Sequence, residues 1–329
     1  MMSVIHEEFV TSIRRSILDK DMAVLKLEKH KVVSIISDIL CLGREAVYRR
    51  LRGEVKFSLE EIAQIAIKLD ISIDSLIGLK NKEKSLIGLN LVDVKDDFKQ
   101  EYLEKLIEQI AFFESVLTKY NNTQILAAFD RLPYTLYLHY DKIAKFRLFK
   151  WAYQMNLIKD ISFKELILPK EVVQAQSKLV SVVRQLKETS LILSPDVLGA
   201  LMADIQYFHD MHLLDEDDVI SLKEQLNDLL FEMEGFAISG ELGSNAMIRL
   251  YISDLGLNFS NMVFRYGKHS YTYINLYEIG GIESQNERLC EYQALWIKSQ
   301  KRYSKLITQS NEIERRRFFR QQREYINGI

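Results

Sequence analysis

The sequence predicts a mainly α protein in three parts: an N-terminal bundle of short helices, a central helical array, and a C-terminal α+β segment with a small antiparallel sheet. Three observations carry this expectation. Only 3 of the 329 residues are proline, so long helices can run unbroken. Apolar residues recur at helical spacing through most of the chain. Beyond Gly235 glycines thicken and runs with a two-residue period begin. The expected boundaries are 1–79 for the bundle, 80–97 for a linker, 98–234 for the helical domain and 235–329 for the α+β region. No fixed-period repeat emerges.

Composition narrows the class. The hydrophobic share is 47%, enough for substantial cores, and the net charge is −2, so any basic surface must be local. Cys41 and Cys290 are too few for a disulfide framework and fit a reducing cytoplasm. The first residues, Met1 to Glu8, are acidic where a signal peptide would be basic and then apolar, and no stretch of about 18 apolar residues offers a membrane span. A cytoplasmic protein without a membrane partner is expected.

From about 4 to 79 short amphipathic helices alternate with tight turns. Ile35, Ile36 and Ile39 give one helix an apolar face, with small Ser37 where a second helix would cross. Leu40-Cys41-Leu42-Gly43 reads as a turn with Leu42 buried beneath it and Gly43 as the cap of the next helix, Arg44 to Arg52. Val47 and Leu51, four apart, face inward, while Arg44, Glu45, Tyr48, Arg49 and Arg52 stay on the exposed faces. Gly53 ends the helix. Ser58-Leu59-Glu60-Glu61 is a capping box opening a helix whose buried stripe is Ile62, Ile65, Ala66 and Leu69, and one more short helix is expected near 70–76. Between 40 and 56, Arg44, Arg49, Arg50, Arg52 and Lys56 oppose Glu45 and Glu54, five positive against two negative.

This arrangement is a helix-turn-helix, and the segment resembles the Cro/phage-repressor (xenobiotic-response-element) class of helix-turn-helix regulators. The resemblance rests on V-Y-R-R-L-R-G at Val47 to Gly53 and on the ending Leu69-Asp70-Ile71-Ser72-Ile73-Asp74-Ser75-Leu76. Cys41 replaces the turn glycine and Ser37 the usual alanine, both small. The resemblance covers about a quarter of the chain. It implies a second helix that enters the major groove of duplex DNA, with Arg44, Glu45 and Arg49 at positions that reach base edges. The expected DNA-binding set is Gly43, Arg44, Glu45, Tyr48, Arg49, Arg52 and Lys56.

Farther on, Leu103, Leu106, Ile110, Phe113, Leu117 and Tyr120 form a seam of nearly three heptads, either a dimer coiled coil or an intramolecular helix pair. Thr123 is read as a helix cap after Asn121-Asn122. Helices are expected at about 123–131, 134–156, 170–189, 195–213 (opening at Ser194-Pro195) and 216–234. Strands follow at 247–255, 261–267 and 270–279, with a hairpin loop at Gly267-Lys268-His269, and helices close the chain at about 283–309 and 311–326.

Other signals are weaker. His209 and His212 sit one helical turn apart, but a metal needs three or four convergent ligands, so no metal or cofactor is expected. Cys41 reads as a small buried turn residue ahead of a redox switch. Tyr266, Tyr271, Tyr273 and Tyr277 either line a ligand pocket or pack the sheet. The basic tail, from Lys298 to Arg323, is a solvated helix or a phosphate contact. No phosphate loop, nucleophile elbow or metalloprotease helix marks an enzyme. The expected function is that of a DNA-binding regulator, a homodimer on double-stranded DNA with a small-molecule or peptide effector. The alternative is a protein-interaction scaffold whose helix-turn-helix no longer binds DNA.

Overall fold

A computed structural model describes residues 6, 9, 10, 13, 28–69, 87–92, 97–158, 161–243 and 245–328. The helix expected at 70–76 and most of the linker expected at 80–97 lie outside these residues. The chain divides into two compact units, Met1–Leu86 and Ile87–Ile329.

In the first unit three helices are described: α1 (Glu28–Leu40), α2 (Arg44–Leu51) and α3 (Leu59–Leu69). Their shared core is Val32, Val33, Ile36, Val47, Leu51, Ile65 and Leu69, joined by Phe9, Ile13 and Phe57. Phe9 meets Phe57 edge to face, with ring centroids 5.6 Å apart.

The second unit corrects the expected architecture. It is not mainly α with a small antiparallel sheet; it is built on a nine-stranded mixed sheet. The elements run β1 (Gly88–Asn90), α4 (Phe98–Lys119), β2 (Thr123–Phe129), α5 (Tyr134–Tyr137), α6 (Asp141–Gln154), α7 (Lys170–Val183), β3 (Glu188–Leu193), α8 (Gly199–Asp210) and α9 (Glu216–Ser239). Then come β4 (Glu241–Gly243), β5 (Ala246–Ser253), β6 (Asn261–Tyr266), β7 (His269–Leu276), β8 (Gly280–Ser284), α10 (Glu287–Gln300), β9 (Ser304–Leu306) and α11 (Glu312–Asn327). The strand order is β1-β8-β7-β6-β2-β3-β5-β4, with β9 also paired to β5. β2, β3 and β5 are mutually parallel, and the remaining pairs are antiparallel.

Central strand β2 falls where helix was expected, and β3 begins inside the helix expected at 170–189; the reason is physical. Both faces of β2 are covered. Ile125, Ala127 and Phe129 join the helical layer, whereas Leu126 and Ala128 meet Ala294 and Ile297 of α10 on the other side. A strand buried on both faces has no polar alternation to reveal it. Thr123 therefore opens a strand instead of capping a helix, and its hydroxyl accepts the Lys187 amide at 2.8 Å. Helix α7 likewise stops at Val183, before β3. The Ser194-Pro195 start is also displaced: residues 195–198 form a turn, and α8 begins at Gly199. The hairpin at Gly267-Lys268 does form, Tyr266 pairing with His269.

The heptad seam is spent inside the unit. Leu106, Phe113 and Val116 of α4 are buried in the main core, with Leu103, Ile110, Leu117 and Tyr120 packed against it. Part of the basic tail is paired in place: Arg316, Arg317, Arg320 and Arg323 pair with Glu312, Glu314, Glu324 and Glu234, while Phe318, Phe319 and Ile326 are buried.

One charged cluster is deeply placed. Glu278, in the left-handed β7–β8 turn (φ 65), is 8% exposed. Its carboxylate meets Arg147 of α6 at 2.5 Å, Lys150 of α6 at 2.8 Å and Arg131 at 3.0 Å, and Lys150 also pairs with Asp204 of α8. Burial alone would raise the Glu278 carboxyl, but the Arg147 and Lys150 charges outweigh it and hold it below the usual carboxylate range. Among the described residues no helix is long and apolar enough to cross a membrane.

Candidate nucleic-acid interface

The presentation of α2 begins with its turn. Cys41 takes a left-handed conformation (φ 52), the backbone that a glycine would adopt without strain. It is exposed, not buried as the sequence suggested, because the turn projects it outward, and Leu42 behind it is only half-buried. The Leu42 amide donates to the Ser37 carbonyl at 3.2 Å and closes the turn onto α1. Gly43 then caps α2 with extended backbone (φ −64, ψ 147), and its carbonyl accepts the Val47 amide at 3.2 Å.

The inner face of α2 is Val47, fully buried, and Leu51, 8% exposed. The helix ends in a Schellman arrangement: Gly53 is left-handed (φ 78), its amide donates to Arg50, and the Glu54 amide donates to Arg49 at 2.9 Å. The capping box of α3 is complete, with Glu61 N to Ser58 Oγ at 3.1 Å and Ser58 N to Glu61 Oε2 at 2.9 Å. The same Glu61 carboxylate grips Arg50, Nε at 3.0 Å and Nη2 at 2.8 Å, and the Arg50 hydrogen bond lowers the Glu61 carboxyl below its ordinary value. Arg50 thus ties α2 to the start of α3 and is withdrawn from the outward basic set. This role was invisible to a charge count; the signal available was its position, one residue before the buried Leu51 and off the outer arc.

At about 100° per residue, Arg44, Tyr48, Arg52, Glu45 and Arg49 fall in that order within an arc of about 140°, which begins beside Leu51 at Arg44 and reaches the side opposite the core at Arg49. Gly43, Arg44, Glu45, Arg49, Arg52 and Lys56 are exposed, whereas Tyr48 is half-buried and packs against the bundle core. The charges differ in freedom. Arg52 pairs with Glu45 at 3.2 Å and Glu54 at 2.7 Å, and the Glu54 hydrogen bond raises its guanidinium further. Arg49 lies 3.6 Å from Glu54. Arg44 and Lys56 form no ion pair among the described residues. The face therefore offers Arg44 and Lys56 immediately, and Arg49 and Arg52 once their carboxylate contacts are exchanged.

A family model described as BetR domain matches residues 10–104. The match points to a domain of the transcriptional-regulator type and covers α1 to α3 and the first turns of α4. It takes in under a third of the chain. No curated protein and no solved structure matches the chain. In the second unit, His209 lies 3.4 Å from Glu216, and no cluster of three or more metal-ligating side chains occurs among the described residues.

Proposed function

We propose that the protein is a sequence-specific DNA-binding transcriptional regulator in which α2 lies in the major groove of duplex DNA and two copies of the chain occupy a two-fold site. The observation that carries this reading is the pairing of a buried Val47–Leu51 edge with an outward arc bearing Arg44 and Arg49. Such a helix, held by its partner helices and by a tight turn, presents arginines where guanine edges and phosphates accept them. The Cro/phage-repressor resemblance and the BetR-domain match both support it. The second unit supplies the mass for dimerisation and effector sensing. Because the α4 seam is consumed internally, the dimer contacts of this reading lie on other surfaces of that unit.

Genomic footprinting of the tagged protein tests the reading, with Arg49→Ala as its control. The variant is expected to lose about 1–3 kcal/mol on its specific site and to relax preference at one base position. An equal loss on every sequence would reduce Arg49 to a phosphate contact. Binding is also expected to fall steeply with salt, as phosphate contacts release counterions.

A second reading is favoured by one observation: the Glu45–Arg52–Glu54 chain neutralises part of the arc, which suits a surface that docks a protein. Footprints absent at all sites, together with a stable protein complex lost in Arg44→Ala, would establish it.

A further inference from the structure

The second unit holds a cavity of about 220 Å³ between α4 and the sheet. Phe112 on α4, Tyr134 at the start of α5, and Tyr271 and Tyr273 on β7 line it, and all four are half-buried. Tyr271 and Tyr273 share a sheet face by the two-residue period of their strand. The strand beyond is shaped for them: at Gly281 of β8 a Cβ would lie 2.5 Å from the Tyr273 ring and 2.5 Å from the Ile274 carbonyl oxygen. Only glycine leaves Tyr273 its place in the wall.

The polar lining has one sign. Glu283 of β8 and Glu108 of α4 border the cavity, and among the described residues no lysine or arginine does. Glu108 is exposed and pairs with Lys105 at 3.2 Å. Glu283 is half-buried and is held without a cation: its carboxylate accepts the Tyr271 hydroxyl at 2.7 Å and the Asn90 side-chain amide at 3.2 Å. No ion pair to Glu283 occurs among the described residues. Burial and the neighbouring Glu283 charge both push the Tyr271 phenol up, so it stays a protonated donor to the Glu283 side chain.

We propose that this cavity binds a small organic cation, an alkylammonium whose charge meets the rings and the Glu283 carboxylate. Ring faces carry partial negative charge and attract cations within about 6 Å, most strongly where water is excluded. The uncompensated carboxylate adds a full charge at the same end. An anion would meet Glu283 with no counter-charge, and a neutral molecule would leave it unpaired. The volume lies below the roughly 300–1,000 Å³ of sites for drug-sized ligands, which restricts the occupant to a compact one. Binding at the cavity stands by itself; only its coupling to DNA rests on the regulatory reading.

Calorimetry on the full chain with benzyltrimethylammonium, 2-phenylethanol and phenylacetate tests the site. Saturable one-site binding of the cation is expected, with the neutral compound at least about tenfold weaker and the anion without binding. Glu283→Gln is expected to weaken the cation about tenfold while the melting temperature is kept. Should that variant lose stability, Tyr134→Leu serves, and it is expected to weaken the cation more than the neutral compound. Equal binding of the three, affinity for the cation unchanged by both variants, or no saturable binding of the cation overturns the proposal. Repeating the footprint with the cation present then reads the coupling, independently of whether the cavity is filled.

Discussion

Glu278→Gln is expected to destabilise the second unit by about 3–5 kcal/mol, the scale found when one partner is taken from a buried ionic group. The substitution keeps the shape and the left-handed backbone of the turn and removes only the charge. Arg147, 5% exposed, then loses its carboxylate, and Lys150, 8% exposed, keeps only Asp204. Equilibrium unfolding in urea, followed by the fluorescence of buried Trp151 beside Lys150, measures it. A loss below about 1 kcal/mol would mean that the cluster is effectively solvated. The pH dependence has a definite sign. The folded carboxyl lies below its unfolded value of about 4.3, so the stabilisation is complete above that pH and disappears as pH falls through the folded value. The wild type should therefore lose this contribution in acid, and the glutamine variant should show a flatter profile there.

Val47→Asp is expected to unfold the first unit and leave the second intact. Val47 is fully buried among α1, α2 and α3, and among the described residues of that core an aspartate there meets no cation. Burying the unpaired carboxylate costs about 4 kcal/mol or more, whether it stays charged or takes up a proton. A domain of this size is held by only about 5–10 kcal/mol. Hydrogen exchange on the full chain separates the two units: amides of α1 to α3 should lose protection while those of β2 and β3 keep it. Undiminished protection in α1 to α3 would contradict the packing of α2.

The contrast between the units explains what the sequence made legible. In the first unit each signal is local. Val47 and Leu51 four apart, Gly53 past a helix end, and Ser58 with Glu61 are governed by neighbours within one or two turns, and their geometry is present as read. Thr123-Gln124-Ile125-Leu126-Ala127-Ala128-Phe129 has no such signal, because its strand conformation is decided by β3, β6 and α10, all more than sixty residues away. The same holds for side chains. The outward arc of α2 followed from helical periodicity, but the capture of Arg50 by Glu61 depends on how α3 crosses it. Tyr271 and Tyr273 were visible as one face of a strand, a candidate lining or a packing surface. The opposite wall, Phe112 and Tyr134, comes from elements that only the folded chain brings there.

The pairing of β1 with β8 sets an order of events during synthesis. Gly88 waits for Glu283, and central strand β2 cannot be flanked on both sides until β6 has also emerged. The first unit can close as soon as its own helices leave the ribosome, whereas the second carries unpaired strand edges through most of its translation. A chain interrupted near residue 240 would keep β2 and β3 together and lack β5 and β6 on either side, exposing two naked sheet margins. Such a fragment is a template for association with its own kind, so nascent chains of this protein place their heaviest demand on chaperones late, after the N-terminal helices are already folded.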